Sequence, residues 1–185
     1  MIRRLTLHSA LVLTFVSTFA LALVLAPANA LASTVLSFES ESAEVACDDE
    51  VWIDIVADAG AVDLRGHSLS FTFDSTRLTV VDFAAGTLFD DANCDAFVYG
   101  IVTSPGSAQI DVAGLGCSID GAGSIARVRV RGDADGIAVF EGTSSILRTS
   151  TNASIAATWT DGSVRVFCPI PTDATSWGTV KALYR

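Results

Sequence analysis

A stretch of strict alternation constrains this chain more than any other feature. Apolar Leu69, Phe71 and Phe73 interleave with Ser68, Ser70 and Thr72. Successive side chains leave a pleated backbone on opposite sides, so this period predicts a strand with one buried and one wet face. Asp74-Ser75-Thr76-Arg77 supplies turn chemistry, and a second apolar run follows from Leu78 to Gly86. Leu64–Gly86 therefore reads as strand, tight connection, strand.

The same period recurs along the chain. Thr34–Phe38 reads as a first strand. Val51, Ile53 and Ile55 alternate with Trp52 and Asp54 in a second. Ser124–Gly132 places Ala126, Val128 and Val130 on one face, and Ile125, Arg127, Arg129 and Arg131 on the other. Ile137–Gly142 and Ser144–Leu147 form a broken strand. Ser154–Trp159 and Ser163–Phe167 flank Asp161-Gly162, a hairpin signal. Thr87–Asp95 reads as an irregular acidic loop. No helical period occurs before residue 172, and about nine short strands at regular spacing predict an all-β sandwich.

The ends differ from this pattern. Arg3 and Arg4, the uncharged run Leu11–Leu25 and the small-x-small triplets Ala28-Asn29-Ala30 and Ala30-Leu31-Ala32 read as a secretory signal peptide over 1–32. The expected product is exported: secreted, periplasmic or at the cell surface, with no membrane segment after cleavage. About 153 to 155 residues then remain, enough for one domain over 33–168. Arg3 and Arg4 leave with the leader, so the mature charge is 9 basic against 21 acidic residues, or −12. That balance argues against nucleic acid and anionic membranes as partners. Over 169–185, Pro169 and Pro171 stop the last strand. Thr175 or Ser176 can cap a short helix, Trp177–Tyr184, with Trp177, Val180 and Leu183 or Tyr184 on one side. It is expected to pack on the sandwich, with Trp52 a candidate contact.

Four cysteines in an exported chain favour two disulfides, and four allow three pairings. Ala96–Val102 and Ser107–Ala113 flank the turn Ser104-Pro105-Gly106-Ser107. A turn centred there sets Tyr99 opposite Val112, Ile101 opposite Ile110 and Val98 opposite Ala113. Extended outward, the ladder sets Cys94 opposite Cys117, within disulfide reach. Cys47–Cys168 is the remaining pair. Free or differently paired thiols are the alternative.

Catalytic devices are sparse. His67 is the one histidine outside the leader, and it reads as a surface residue without a nucleophile beside it. No zinc spacing and no phosphate-cradling glycine motif occurs, so no cofactor and no metal is assigned. Asp48-Asp49-Glu50 and Asp90-Asp91 read as solvated turn carboxylates; a calcium site from Asp90, Asp91 and Asp95 is the sharper alternative. Arg127, Arg129 and Arg131 are expected to pair across strands with Glu50, Asp54 or Asp82, an anionic ligand being the alternative.

In order, several stretches resemble the cohesin domain: Val51-Trp52-Ile53-Asp54-Ile55, Leu64-Arg65-Gly66 with Phe71-Thr72-Phe73-Asp74, Leu78–Gly86, Gly121-Ala122-Gly123-Ser124-Ile125-Ala126, and Asp161-Gly162-Ser163-Val164. The resemblance spans about Thr34 to Phe167. It implies a nine-stranded jelly-roll sandwich and a non-catalytic module that binds dockerins, small calcium-loaded helical modules, with a link to polysaccharide breakdown. It also implies that the partner docks on the third, fifth, sixth and eighth strands. The outward residues expected there are Ser70, Thr72, Val98, Gly100, Val102, Gln109, Asp111 and Ala113. Cellulose-binding modules have a similar sandwich. The alternative is therefore a carbohydrate-binding module that holds polysaccharide directly, with Trp52 and Trp159 as a sugar platform.

Overall fold

The structure, a computed structural model, describes residues 33–169. The expected leader over 1–32 and the expected helix Trp177–Tyr184 lie outside the described residues. Two sheets pack face to face. One contains β1 (Thr34–Ser40), β3 (Glu50–Ala57), β5 (Leu78–Ala85), β8 (Gly123–Gly132) and β11 (Ala157–Thr160), in the order β11-β1-β3-β8-β5. The other contains β2 (Glu44–Ala46), β4 (Leu64–Phe73), β6 (Ala96–Ser104), β7 (Ser107–Gly114), β9 (Gly136–Thr149) and β12 (Gly162–Phe167), in the order β2-β12-β9-β4-β7-β6. The short β10 (Ser154–Ile155) also pairs with β9. Pairing is antiparallel except for β1 with β11 and β12 with β2.

Contrast between neighbouring side chains decides which way each strand faces. In β4, Leu69, Phe71 and Phe73 are buried, while Ser68, Ser70 and Thr72 are partly exposed. In β8, Val128 and Val130 are buried between arginines. The centre of the core is aromatic: the Phe38 ring lies 5.6 Å from both Phe71 and Phe140, and stacks at 5.1 Å on Trp159. Gly142 of β9 makes room for that indole, because a Cβ there would lie 1.9 Å from Trp159 Cδ2.

Two short connections, the turn after β4 and Asp161-Gly162, carry the chain between sheets. After β4, Asp74 Oδ1 accepts the Thr76 amide at 3.0 Å, and the Asp74 carbonyl accepts the amides of Arg77 and Leu78. The chain thereby enters β5 in the opposite sheet. Asp161-Gly162 is likewise not a hairpin turn, since β11 pairs in parallel with β1 while β12 pairs with β9. The signal is local, whereas the partner of each strand is chosen by which sheet its apolar face must cover. The acidic loop also holds a short helix, α1 (Thr87–Asp91), whose Phe89 is buried.

The cysteines pair as Cys94–Cys117 and Cys47–Cys168, with Cα separations of 5.8 and 4.9 Å. The ladder between β6 and β7 is nevertheless one residue away from its expected register. Val98 faces Val112, Tyr99 faces Asp111 and Ile101 faces Gln109; the shift is absorbed between Val102 and Ser104. An extra residue near the turn is a β-bulge, which takes up one position and moves everything beyond it.

Candidate partner-binding face

A one-residue slip sends every side chain of a strand to the other face. Val98 accordingly points inward against the core, and is withdrawn from the expected face. Gly100 is inward too: a Cβ there would lie 2.1 Å from the Phe83 ring. Val102 shares their side, paired with buried Ala108, but is left 43% exposed beyond the cover of the opposite sheet. Phe97, Tyr99 and Ile101 take their place outside, 59, 50 and 41% exposed.

Register then sets out the face row by row across β6, β7, β4 and β9. One row is Phe97, Ala113, Gly66 and Arg148; the next is Tyr99, Asp111, Ser68 and Ile146; the next is Ile101, Gln109, Ser70 and Ser144. Thr72 lies opposite Ser107 on β7 and Glu141 on β9. Gln109 Nε2 donates to both Asp111 carboxylate oxygens at 3.0 and 3.1 Å and to Ser68 Oγ at 3.3 Å. An apolar ridge thus borders a small, internally hydrogen-bonded polar strip. Between Phe97 and Ile146 lies a shallow depression of about 370 Å³, floored by Gly66 and Ala113 and edged by Asp111 and Arg148. Ala96–Val102 is apolar on both sides, so its alternation carries no sign of which side is core.

Other candidates resolve differently. The arginines of β8 have carboxylate partners: Arg127 pairs with Asp54 at 3.0 Å and with Glu41, Arg129 with Glu50 and Asp82 at 3.4 and 2.9 Å, and Arg131 with Asp133 at 3.0 Å. Trp52 lies under Arg127 and Arg129, whose guanidinium carbons are 4.9 and 5.4 Å from its ring centroid. Trp159 points inward onto Phe38. The two tryptophans therefore occupy opposite faces of one sheet and do not form a common platform. Among the described residues no three His, Cys, Asp or Glu side chains converge to hold a metal ion, and Asp90, Asp91 and Asp95 form no such group.

His67 is not a surface residue; it is 6% exposed. It lies on the inward side of β4 with Leu69 and Phe71, so period two places it where its polarity argued against. Its Nε2–H donates to the Ile125 carbonyl at 3.1 Å, and Nδ1 has no partner. Burial pushes its pKa down to about 4, with the Ile125 carbonyl and Asp111 opposing. A neutral imidazole bonded to a carbonyl is a core residue, not a general base.

The architecture is that of a cohesin-like sandwich. No protein-family model matches the sequence, and no curated protein does. Solved structures do match in fold. A non-cellulosomal cohesin from the hyperthermophilic archaeon Archaeoglobus fulgidus is 17% identical, with a TM-score of 0.60 over 74% of this chain and 92% of that one. The sixth cohesin of Acetivibrio cellulolyticus scaffoldin B, solved with a Cel5 dockerin mutant, is 16% identical, with a TM-score of 0.61 over 74% of this chain and all of that one. A cohesin module from a Clostridium perfringens family 33 glycoside hydrolase is 16% identical, with a TM-score of 0.62 over the same shares.

Proposed function

We propose that this chain is an exported, non-catalytic binding module whose β9-β4-β7-β6 face takes a dockerin-type protein partner. The observation that carries this is the ridge Phe97-Tyr99-Ile101, a row of large apolar side chains left in water beside a flat strip of small ones. An exposed apolar patch with a polar margin is the anatomy of a protein contact. The fold supports the reading, since a cohesin of Acetivibrio cellulolyticus and one of Clostridium thermocellum were solved as complexes with dockerins. The two disulfides support export into an oxidising compartment. A link to polysaccharide breakdown follows if the partner module is carried by a polysaccharide-degrading enzyme.

Calorimetric titration of the exported chain against a panel of calcium-loaded dockerins tests this. Phe97→Ala, Thr72→Ala and Asp111→Ala each report on the face. Truncating a central aromatic anchor weakens such contacts by about 2 kcal/mol or roughly 30-fold. Absence of binding across the panel, or binding insensitive to all three changes, would overturn the reading. Retention on insoluble cellulose or chitin instead would favour the carbohydrate-binding alternative, which the opposed placement of Trp52 and Trp159 disfavours.

A further inference from the structure

A second apolar patch lies on the same outer side of that sheet, where β9 pairs with β12. Ile137 is directly opposite Arg165, and Val139 opposite Ser163. Phe167, two residues past Arg165, points to the same side as both. Ile137, Val139 and Phe167 are 64, 42 and 47% exposed. The described chain leaves from this spot: Cys168 follows Phe167 and is tied to Cys47, and its amide is held by Asp135 Oδ1 at 3.3 Å. The described residues therefore end at Pro169, next to a Cys168 held beside the patch.

We propose that residues 170–185 fold back and cover Ile137, Val139 and Phe167. The sequence of that segment fits the site in three ways. It carries Trp177, Val180, Leu183 and Tyr184, apolar residues at spacings that can share one side. Eight residues separate Pro169 from Trp177, a maximum reach of about 26 Å, whereas the patch spans only two neighbouring strands about 5 Å apart. Charge also agrees: residues 33–169 contain 7 basic and 20 acidic residues, while 170–185 contain Lys181 and Arg185 against Asp173 alone. Glu44, paired with Arg165 at 3.7 Å, and Glu141 lie on the same outer face for those cations. Trp52, the contact expected from the sequence, is already covered by two guanidinium groups on the other sheet. Val139 and Ile146 are seven residues apart on β9, about 23 Å, so the covered patch leaves the depression at Ile146 open.

Trypsin cleavage after Lys181 in the full exported chain tests this. Cleavage of a docked segment follows the fraction of time it is open. Ile137→Asp should speed it about tenfold, the open fraction rising with the loss of about 1.4 kcal/mol of docking. Trp177→Ala should do the same without touching the sandwich. Val62→Asp, a charge at an apolar site 60% exposed elsewhere, should leave the rate unchanged. Equal rates in all four chains overturn the proposal. So does a dimer in light scattering that Ile137→Asp dissociates, because a second copy would then be the cover.

Discussion

Lowering the pH should destabilise this sandwich in a window set by His67. In the unfolded chain its imidazole has an ordinary pKa of 6.5, and in the folded chain burial lowers it to about 4. Below 6.5 the unfolded state takes up a proton that the folded state refuses. Stability is therefore constant above that value, falls as pH drops towards 4, and levels off below it as far as this group is concerned. A shift from 6.5 to about 4 at 1.36 kcal/mol per unit gives about 3 kcal/mol. That is a large part of the 5–15 kcal/mol typical of a domain.

Urea unfolding at pH 7.5, 6, 5 and 4 measures the effect directly, and His67→Leu isolates it. The variant keeps the bulk of the side chain, and Ile125 O still accepts the Gly86 amide at 3.1 Å. Its free energy of unfolding should change little between pH 6.5 and 4, while the natural chain loses about 3 kcal/mol. The carboxylates do not mimic this. Asp63 is held low by Ser150 and Ser118, and Asp74 by Thr76 and Arg77; their contribution is present above the unfolded value of 3.8 and lost only below it. A natural chain and a variant with parallel pH profiles would refute the argument, showing that His67 accepts a proton within the fold.

Three further outcomes follow from the packing. Gly142→Ala places a methyl into the Trp159 indole and should cost about 1–3 kcal/mol, read by urea midpoint and by a shift in tryptophan emission. Serine substitution of Cys94 and Cys117 should cost about 3 kcal/mol, and of Cys47 and Cys168 about 5, because the closed loops span 23 and 121 residues. An equal loss in thermal melts of the two variants would contradict that ordering. Arg127→Met should cost about 1–2 kcal/mol because it leaves Asp54, only 18% exposed, without its cation; Arg131→Met, at a more exposed pair, should cost less than about 1 kcal/mol.

The unequal legibility of the strands has one physical cause. A sequence reveals which way a strand faces only where its two sides differ in polarity. Val128 and Val130 between arginines, or Leu69 and Phe71 between serines and threonine, leave one arrangement that buries apolar area without burying charge. His67 sits at an inward position of a clearly alternating strand, where its residue type points outward but its place in the period points to the core. In β6 the contrast vanishes: Phe97, Tyr99 and Ile101 alternate with Val98, Gly100 and Val102, and either side could be core. Register then depended on the turn, where a bulge shifted it by one. Gly100 was the remaining clue, since a glycine within an apolar strand marks close approach by another group, here the Phe83 ring. The same lack of contrast makes β6 the site of the proposed contact. A strand that keeps aromatic residues on its wet side gives up the polarity signal that a solvated sheet face would show. The stretch hardest to orient from sequence is therefore the one whose outer face most needs a partner.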